Sequence, residues 1–244
     1  DPLLFKQEYP ANAAEAFQTT GHDSFIPAEL VVRARKNRAE ASGPLVIGFG
    51  PAWKGGDRGS MAWRQGRKVK KIESKSKLDT MQGAGWAKQV IDEDKPARMF
   101  IDVGGIGAGV YDRLVEMGYG KVVRAINFGS SPLEPPQEDE NGRPKGGYLN
   151  RRAEMWGKSK DWLEEPGGVD IPDSDTLQAD ACAPGYKYDS LTRLQLESKD
   201  DIRKRGMKSP DEWDAVALTF AEPVAPALNL DFSTTSAGGD WMGI

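Results

Sequence analysis

A mixed α/β domain is the fold class that this sequence predicts, and three observations predict it. Leu45-Val46-Ile47-Gly48-Phe49 and Met99-Phe100-Ile101-Asp102-Val103 are short apolar runs of the length that suits buried strands. Residues 59–64 and 68–73 alternate in polarity on either side of Gln65-Gly66-Arg67, the pattern of a hairpin. Helical patterns then follow the strands, most clearly at residues 108–117.

In chain order, residues 1–42 mix short helical patterns with Pro10 and Pro27 and end in Ala39-Glu40-Ala41-Ser42-Gly43, a polar run of linker character. The compact domain is expected to begin at residue 43. Asp79-Thr80 is suited to cap a helix reaching about residue 92, followed by the strand at 98–103, its helix, and a further strand at 121–127. Residues 130–148 are rich in proline, glycine and charge and read as a long mobile loop within the domain. Residues 150–163 read as a helix with Ala153, Trp156 and Trp162 on its core face, and residues 186–189 and 193–197 as an added β-hairpin. A segment at 199–205 and a last helix beginning at Ser209 complete the domain to residue 228; residues 229–244 read as a polar tail. There is no internal repeat.

The 244 residues can bury a sizeable core, and one domain is the favoured division. With 33 Lys and Arg against 37 Asp and Glu, the net charge of −4 argues against a surface that is basic throughout. Local basic clusters remain at Arg33, Arg35, Lys36 and Arg38, at Arg64, Arg67, Lys68, Lys70 and Lys71, and at Arg203, Lys204 and Arg205. Cys182 is the sole cysteine and His22 the sole histidine, which excludes an intrachain disulfide and weakens any scheme built on imidazole or thiolate. Carboxylates are left for the chemistry, as acid/base groups or as ligands of hard cations. No stretch is long and apolar enough to span a bilayer, so no membrane association is expected and the protein should be soluble. The chain opens on Asp1 without Met and reads as a piece of something longer.

Asp102 is the main candidate. An acid at the C-terminal end of a buried strand sits where open α/β sheets place their sites, and a desolvated carboxylate there calls for a cation or a donor. As a lone residue it reads equally well as a turn or capping acid. Gly104-Gly105-Ile106-Gly107-Ala108-Gly109 misses the dinucleotide-binding pattern, since Val110 stands where the last glycine is required. In the last helix, Ser209, Pro210 and Glu212 form the pattern of a capping box, which accounts for Glu212, and the helix dipole accounts in part for Asp211. Asp214 lies one turn in among Ala217, Leu218 and Ala221, which makes it the better ligand; a salt bridge to a basic neighbour such as Arg205 is the plainer alternative.

A set of segments spread over nearly the whole chain resembles the nuclease domain of phage large terminases. These are Glu8-Tyr9-Pro10 with Ala16-Phe17 and Phe25-Ile26-Pro27; Ile47-Gly48-Phe49-Gly50-Pro51-Ala52 with Gly55-Gly56-Asp57-Arg58; and Phe100-Ile101-Asp102-Val103-Gly104-Gly105-Ile106-Gly107. Arg151-Arg152-Ala153-Glu154-Met155-Trp156, Gln195-Leu196-Glu197-Ser198-Lys199 and Ser209-Pro210-Asp211-Glu212 complete the set.

The resemblance implies an RNase H-like mixed sheet flanked by helices, with residues 1–42 as the tail of a preceding ATPase domain of the same polypeptide. It implies a divalent-metal-dependent endonuclease that cuts concatemeric double-stranded DNA with two Mg²⁺ or Mn²⁺ ions, in the host cell cytoplasm, alongside a portal protein and a small terminase subunit. Asp102 and Asp214 match the second and third carboxylate positions. The first does not match: Gly50 stands where the family carries Asp. Either a ligand is missing, by natural loss or by engineering, or Asp57 is recruited, although Asp57 suits a loop role better. Impaired cleavage is therefore expected, and the alternative is an inactive module that binds DNA or docks on the portal. Arg193, Arg203, Lys204 and Arg205 are the expected contacts to DNA phosphates, and the loop at 130–148 is a candidate gate.

Overall fold

The computed structural model describes residues 24–52, 58–138, 140–142 and 144–225. His22, Asp57 and the expected tail at 229–244 lie outside the described residues.

Strands β1 (Leu45–Gly50), β2 (Arg58–Gln65), β3 (Lys68–Ser76), β4 (Arg98–Asp102) and β5 (Val123–Ile126) form one sheet in the order β3-β2-β1-β4-β5. β1, β2 and β3 pair antiparallel, while β4 pairs parallel to β1 and to β5, so the sheet is mixed as the sequence predicts. Alternation along each strand divides the core in two. Ile47, Phe49, Met61, Trp63, Met99 and Ile101 point to one face and are covered by α2 (Thr80–Asp94) and α3 (Gly107–Glu116). Val46, Ala62 and Phe100 point to the other, against α4 (Arg151–Glu164) and α7 (Asp211–Leu218).

α2 starts as the sequence predicts: the Asp79 carboxylate accepts from the Gln82 backbone N–H at 2.8 Å, and the Gln82 side chain accepts from the Asp79 N–H at 3.0 Å. Turn residue Gly66, at φ 56°, joins β2 to β3.

Three features go beyond the sequence expectations. Helix α1 (Ala28–Lys36) buries Val31 and Ala34 with Phe25 and Ile26 in the same core as α4, so residues 24–36 pack on the body of the domain. Helix α5 (Asp175–Cys182), capped by Ser174, fills a stretch for which no element was expected. Within 130–148, the short pair β6 (Gln137–Glu138) and β7 (Pro144–Lys145) forms, and the segment is fastened at both ends. The Leu133 and Glu134 N–H groups donate to Glu154, at 2.9 and 3.2 Å, and the Gly146 N–H to the Leu191 carbonyl at 2.9 Å. The expected hairpin forms from β8 (Tyr186–Tyr188) and β9 (Leu194–Leu196), followed by α6 (Lys199–Lys204).

Candidate functional site

A cleft of about 690 Å³ opens at the C-terminal ends of β1 and β4, lined among others by Gly50, Asp102, Thr80, Lys199, Asp211 and Asp214. Its geometry follows from strand register. Gly48 pairs with Phe100 and Phe49 with Ile101, so position 50 is level with Asp102 on the next step of the parallel pair. Both share the parity of Val46 and Phe100 and therefore face the layer that contains α7. A Cβ at Gly50 would meet nothing within 4 Å, so the position is open to a side chain that would face Asp102.

Two close approaches bring α7 and α3 to this edge. A Cβ at Gly48 would collide with the Ala215 carbonyl oxygen and the Leu218 Cβ, so only glycine lets α7 lie this near β1. A Cβ at Gly107 would collide with the Asp102 carbonyl oxygen, so glycine there allows α3 to start directly behind the acid.

The two carboxylates differ electrostatically. Burial pushes the Asp102 carboxyl above its ordinary range; the Gly104 N–H, donating to Oδ1 at 3.1 Å, opposes the shift, while the Asp214 charge adds to it. Its negative charge is thus under-compensated. Burial also works against the Asp214 charge, but Arg152 and Lys199 outweigh it and hold the group below the usual range. Arg152 Nε and Trp156 Nε1 donate to Oδ1 at 3.0 and 2.8 Å, and Lys199 Nζ lies 2.9 Å from Oδ2. Lys199 thus neutralises Oδ2 while Arg152 and Trp156 hold Oδ1, so both oxygens of this buried carboxylate are compensated.

Asp211 takes part in a second network. Its Oδ2 accepts from the Arg58 backbone N–H at 2.9 Å, and its Oδ1 from Ser209 Oγ at 2.7 Å and Lys199 Nζ at 3.3 Å. The expected capping box at Ser209 does not form, because that hydroxyl is taken by Asp211 and α7 begins one residue later, after Pro210. Asp180 of α5 caps the helix from across the fold, its Oδ2 accepting from the Glu212 N–H at 2.8 Å. Arg58 bridges Glu212 and Asp180, at 2.9 and 3.3 Å. Burial pushes the Asp180 carboxyl up to about 8 despite the Glu212 N–H and Arg58.

Asp102 and Asp214 both line the cleft. The plainer alternative for Asp214 is corrected in its partner: Arg205 pairs with Glu197 at 2.5 Å, and Arg152 and Lys199 hold Asp214. Arg193, Arg203, Lys204 and Arg205 do not line the cleft. Arg193 pairs with Asp189 at 2.6 Å, Arg203 with Asp200 at 2.8 Å and Lys204 with Asp201 at 2.7 Å. Among the described residues no group of three metal-ligating side chains forms. Asp102, held above its ordinary range by burial, and Asp214, whose Oδ2 is met by Lys199, are hard oxygen donors of the kind that suit a divalent cation.

No protein-family model matches the chain, and no curated protein matches it significantly. Solved structures do. The nuclease domain of the large terminase subunit gp2 of bacterial virus Sf6 superposes with a TM-score of 0.71 at 23% identity, covering 82% of this chain and 99% of that one. The same domain as a lysine-to-alanine mutant with calcium gives a TM-score of 0.71 at 22% identity, over 82% of this chain and 100% of that one. The large terminase nuclease from thermophilic phage G20c with bound magnesium gives 0.55 at 12% identity, over 83% and 98%. This chain has the fold of the phage large-terminase nuclease domains.

Within this fold, the five-stranded sheet supplies Asp102 and α7 supplies Asp211 and Asp214. Sequence reasoning missed Arg58, Arg152, Trp156, Asp180 and Lys199 as site residues. Arg152 and Trp156 did carry a signal: they lie four apart on a helix that also buries Met155 and Glu154, and a polar side chain in such a place must answer a buried charge.

Proposed function

We propose that this chain is the nuclease domain of a viral DNA-packaging terminase, acting on the phosphodiester bonds of double-stranded DNA with Mg²⁺ or Mn²⁺. The register that sets position 50 beside Asp102, on the face occupied by Asp214, is the observation that carries this reading. Related folds are described with manganese, calcium, magnesium or cobalt, in keeping with a carboxylate cleft. Asp102 and Asp214 would hold the ion, which when bound would supply Lewis-acid polarisation of a phosphoryl oxygen and an activated water. The chain's own contribution is positional. Arg152 and Trp156 fix the Asp214 carboxylate, and the Gly104 N–H orients Asp102. Lys199, ion-paired to Asp211 and Asp214, carries positive charge where an ion would bind and competes with it. In the same reading, the domain works in the host cytoplasm with the ATPase domain of its own polypeptide, a portal protein and a small terminase subunit. Residues 43–228 are the nuclease, residues 24–36 of the segment leading from that ATPase domain pack on it, and residues 229–244 are a tail.

Without an acid at position 50 cleavage is expected to be impaired, because catalytic groups act as a unit. The test is supercoiled plasmid in Mn²⁺ with chelator controls, comparing the chain with its Gly50→Asp variant. The expected outcome is nicking and linearisation by the variant and little by the parent. Equal cleavage by both would assign the missing ligand elsewhere, to Asp57. Failure of both would favour the second reading, an inactive DNA-binding or portal-docking module, which the open site at Gly50 and the Lys199 ion pairs support.

A further inference from the structure

The exposed cations divide into those held in ion pairs and those, at several places among the described residues, without a partner. The cations expected to contact DNA each face an acid within their own segment, so binding a phosphate would mean giving up an ion pair. Lys75, Lys77 and Lys208 differ. All three are exposed, and among the described residues none has an ion-pair partner. Lys75 Nζ sits 4.4 Å over the Trp86 ring, which steadies the side chain and leaves its charge unneutralised.

Their placement relative to the cleft is fixed by the fold. β3 is the edge strand of the sheet, and its last residue, Ser76, pairs with Arg58, whose N–H bonds Asp211 in the cleft wall. Lys77 follows directly, three residues before Thr80, which lines the cleft. Lys208 lies three residues before Asp211, which also lines the cleft. Three residues of chain reach at most about 10 Å, so the backbones of both lysines lie within that distance of a residue lining the cleft. Lys77 adopts a left-handed backbone, φ 60°, uncommon for a residue with a side chain. The nearby Asp79 carboxylate is occupied in capping α2.

We propose that Lys75, Lys77 and Lys208 form the phosphate track that seats duplex DNA across the cleft, in place of Arg193, Arg203, Lys204 and Arg205. This rests on the nuclease reading of the cleft. Each unpaired lysine that meets a phosphate releases condensed counterions, so the track fixes both affinity and its salt dependence.

The test is fluorescence anisotropy of a labelled short duplex with the full chain, in chelator, over a range of salt. A Lys75→Ala/Lys77→Ala/Lys208→Ala variant is expected to bind on the order of tenfold more weakly, with the slope of log affinity against log salt reduced by about 2 to 3. An Arg203→Ala/Lys204→Ala variant should stay within about twofold of the parent. The charge-preserving Lys75→Arg/Lys77→Arg/Lys208→Arg variant should bind like the parent, which separates lost charge from lost folding. Unchanged affinity and slope in the alanine triple, or an equal loss in the Arg203/Lys204 variant, would overturn the track while leaving the cleft's nuclease reading intact. Failure of the parent to bind any duplex would overturn the track and the nuclease reading together.

Discussion

Asp180 shows how one side chain can trade stability for position. Its carboxylate caps α7 and meets Arg58, yet burial raises its pKa to about 8. For a carboxyl raised on folding, the stabilising contribution is complete below the unfolded value of 3.8 and is lost as pH rises through about 8. The chain should therefore lose stability from Asp180 over that window. Asp180→Asn keeps an acceptor for the Glu212 N–H but no longer titrates. In thermal unfolding at a series of pH values, the variant's Tm should gain on the parent's as pH rises, and a constant difference would contradict this. The same scale explains what was legible. Asp102 and Asp214 are visible in the sequence because an acid at the end of an apolar strand, or among alanines and leucine in a helix, breaks a pattern. Lys199, Arg58 and Asp180 break none; each sits in an ordinary polar stretch and acquires its role from partners far away in the chain.

At the scale of elements, α7 is held against the sheet by shape. Gly48 leaves no room for a methyl beneath Ala215 and Leu218, and α7 cannot yield easily because Trp213 is buried against Trp156, ring centroids 6.5 Å apart. Gly48→Ala should destabilise the domain by about 2–3 kcal/mol through overpacking, measurable as a lower midpoint in denaturant unfolding. Gly50→Ala, at a position with open space, should be nearly neutral in the same assay. Sequence periodicity captured the five strands of the main sheet, α2, α3, α4 and the β8–β9 hairpin, whose patterns are local. It misplaced the start of α7 because Ser209 has two possible acceptors or donors nearby, and the choice is made by Asp180, a residue of another helix. It left α5 unnoticed because an eight-residue helix carries only about two turns of pattern.

For the molecule as a whole, the two-faced core extends ahead of the expected boundary at residue 43. Phe25, Ile26, Val31 and Ala34 are buried with Trp162, Leu163 and Ile171, and Arg35 ties α1 to Asp173 and Asp175 at 2.6 and 2.8 Å. Removing residues 24–42 would expose several fully packed apolar side chains, each worth about 1.5–3 kcal/mol. A chain beginning at residue 43 should accordingly unfold at a temperature at least several degrees lower than one beginning at residue 24; equal melting curves would make residues 24–36 an accessory. The fold class was legible because it depends on the sum of many local patterns, whereas this packing depends on pairs more than a hundred residues apart.

Gly48 sets more than stability. Asp102 belongs to the sheet and Asp214 to the helix above it, so the gap between the two layers is also the gap between the two carboxylates. If the two carboxylates hold an ion as proposed, a bare backbone at one residue would set which ion fits: thickening it would favour the larger calcium over magnesium.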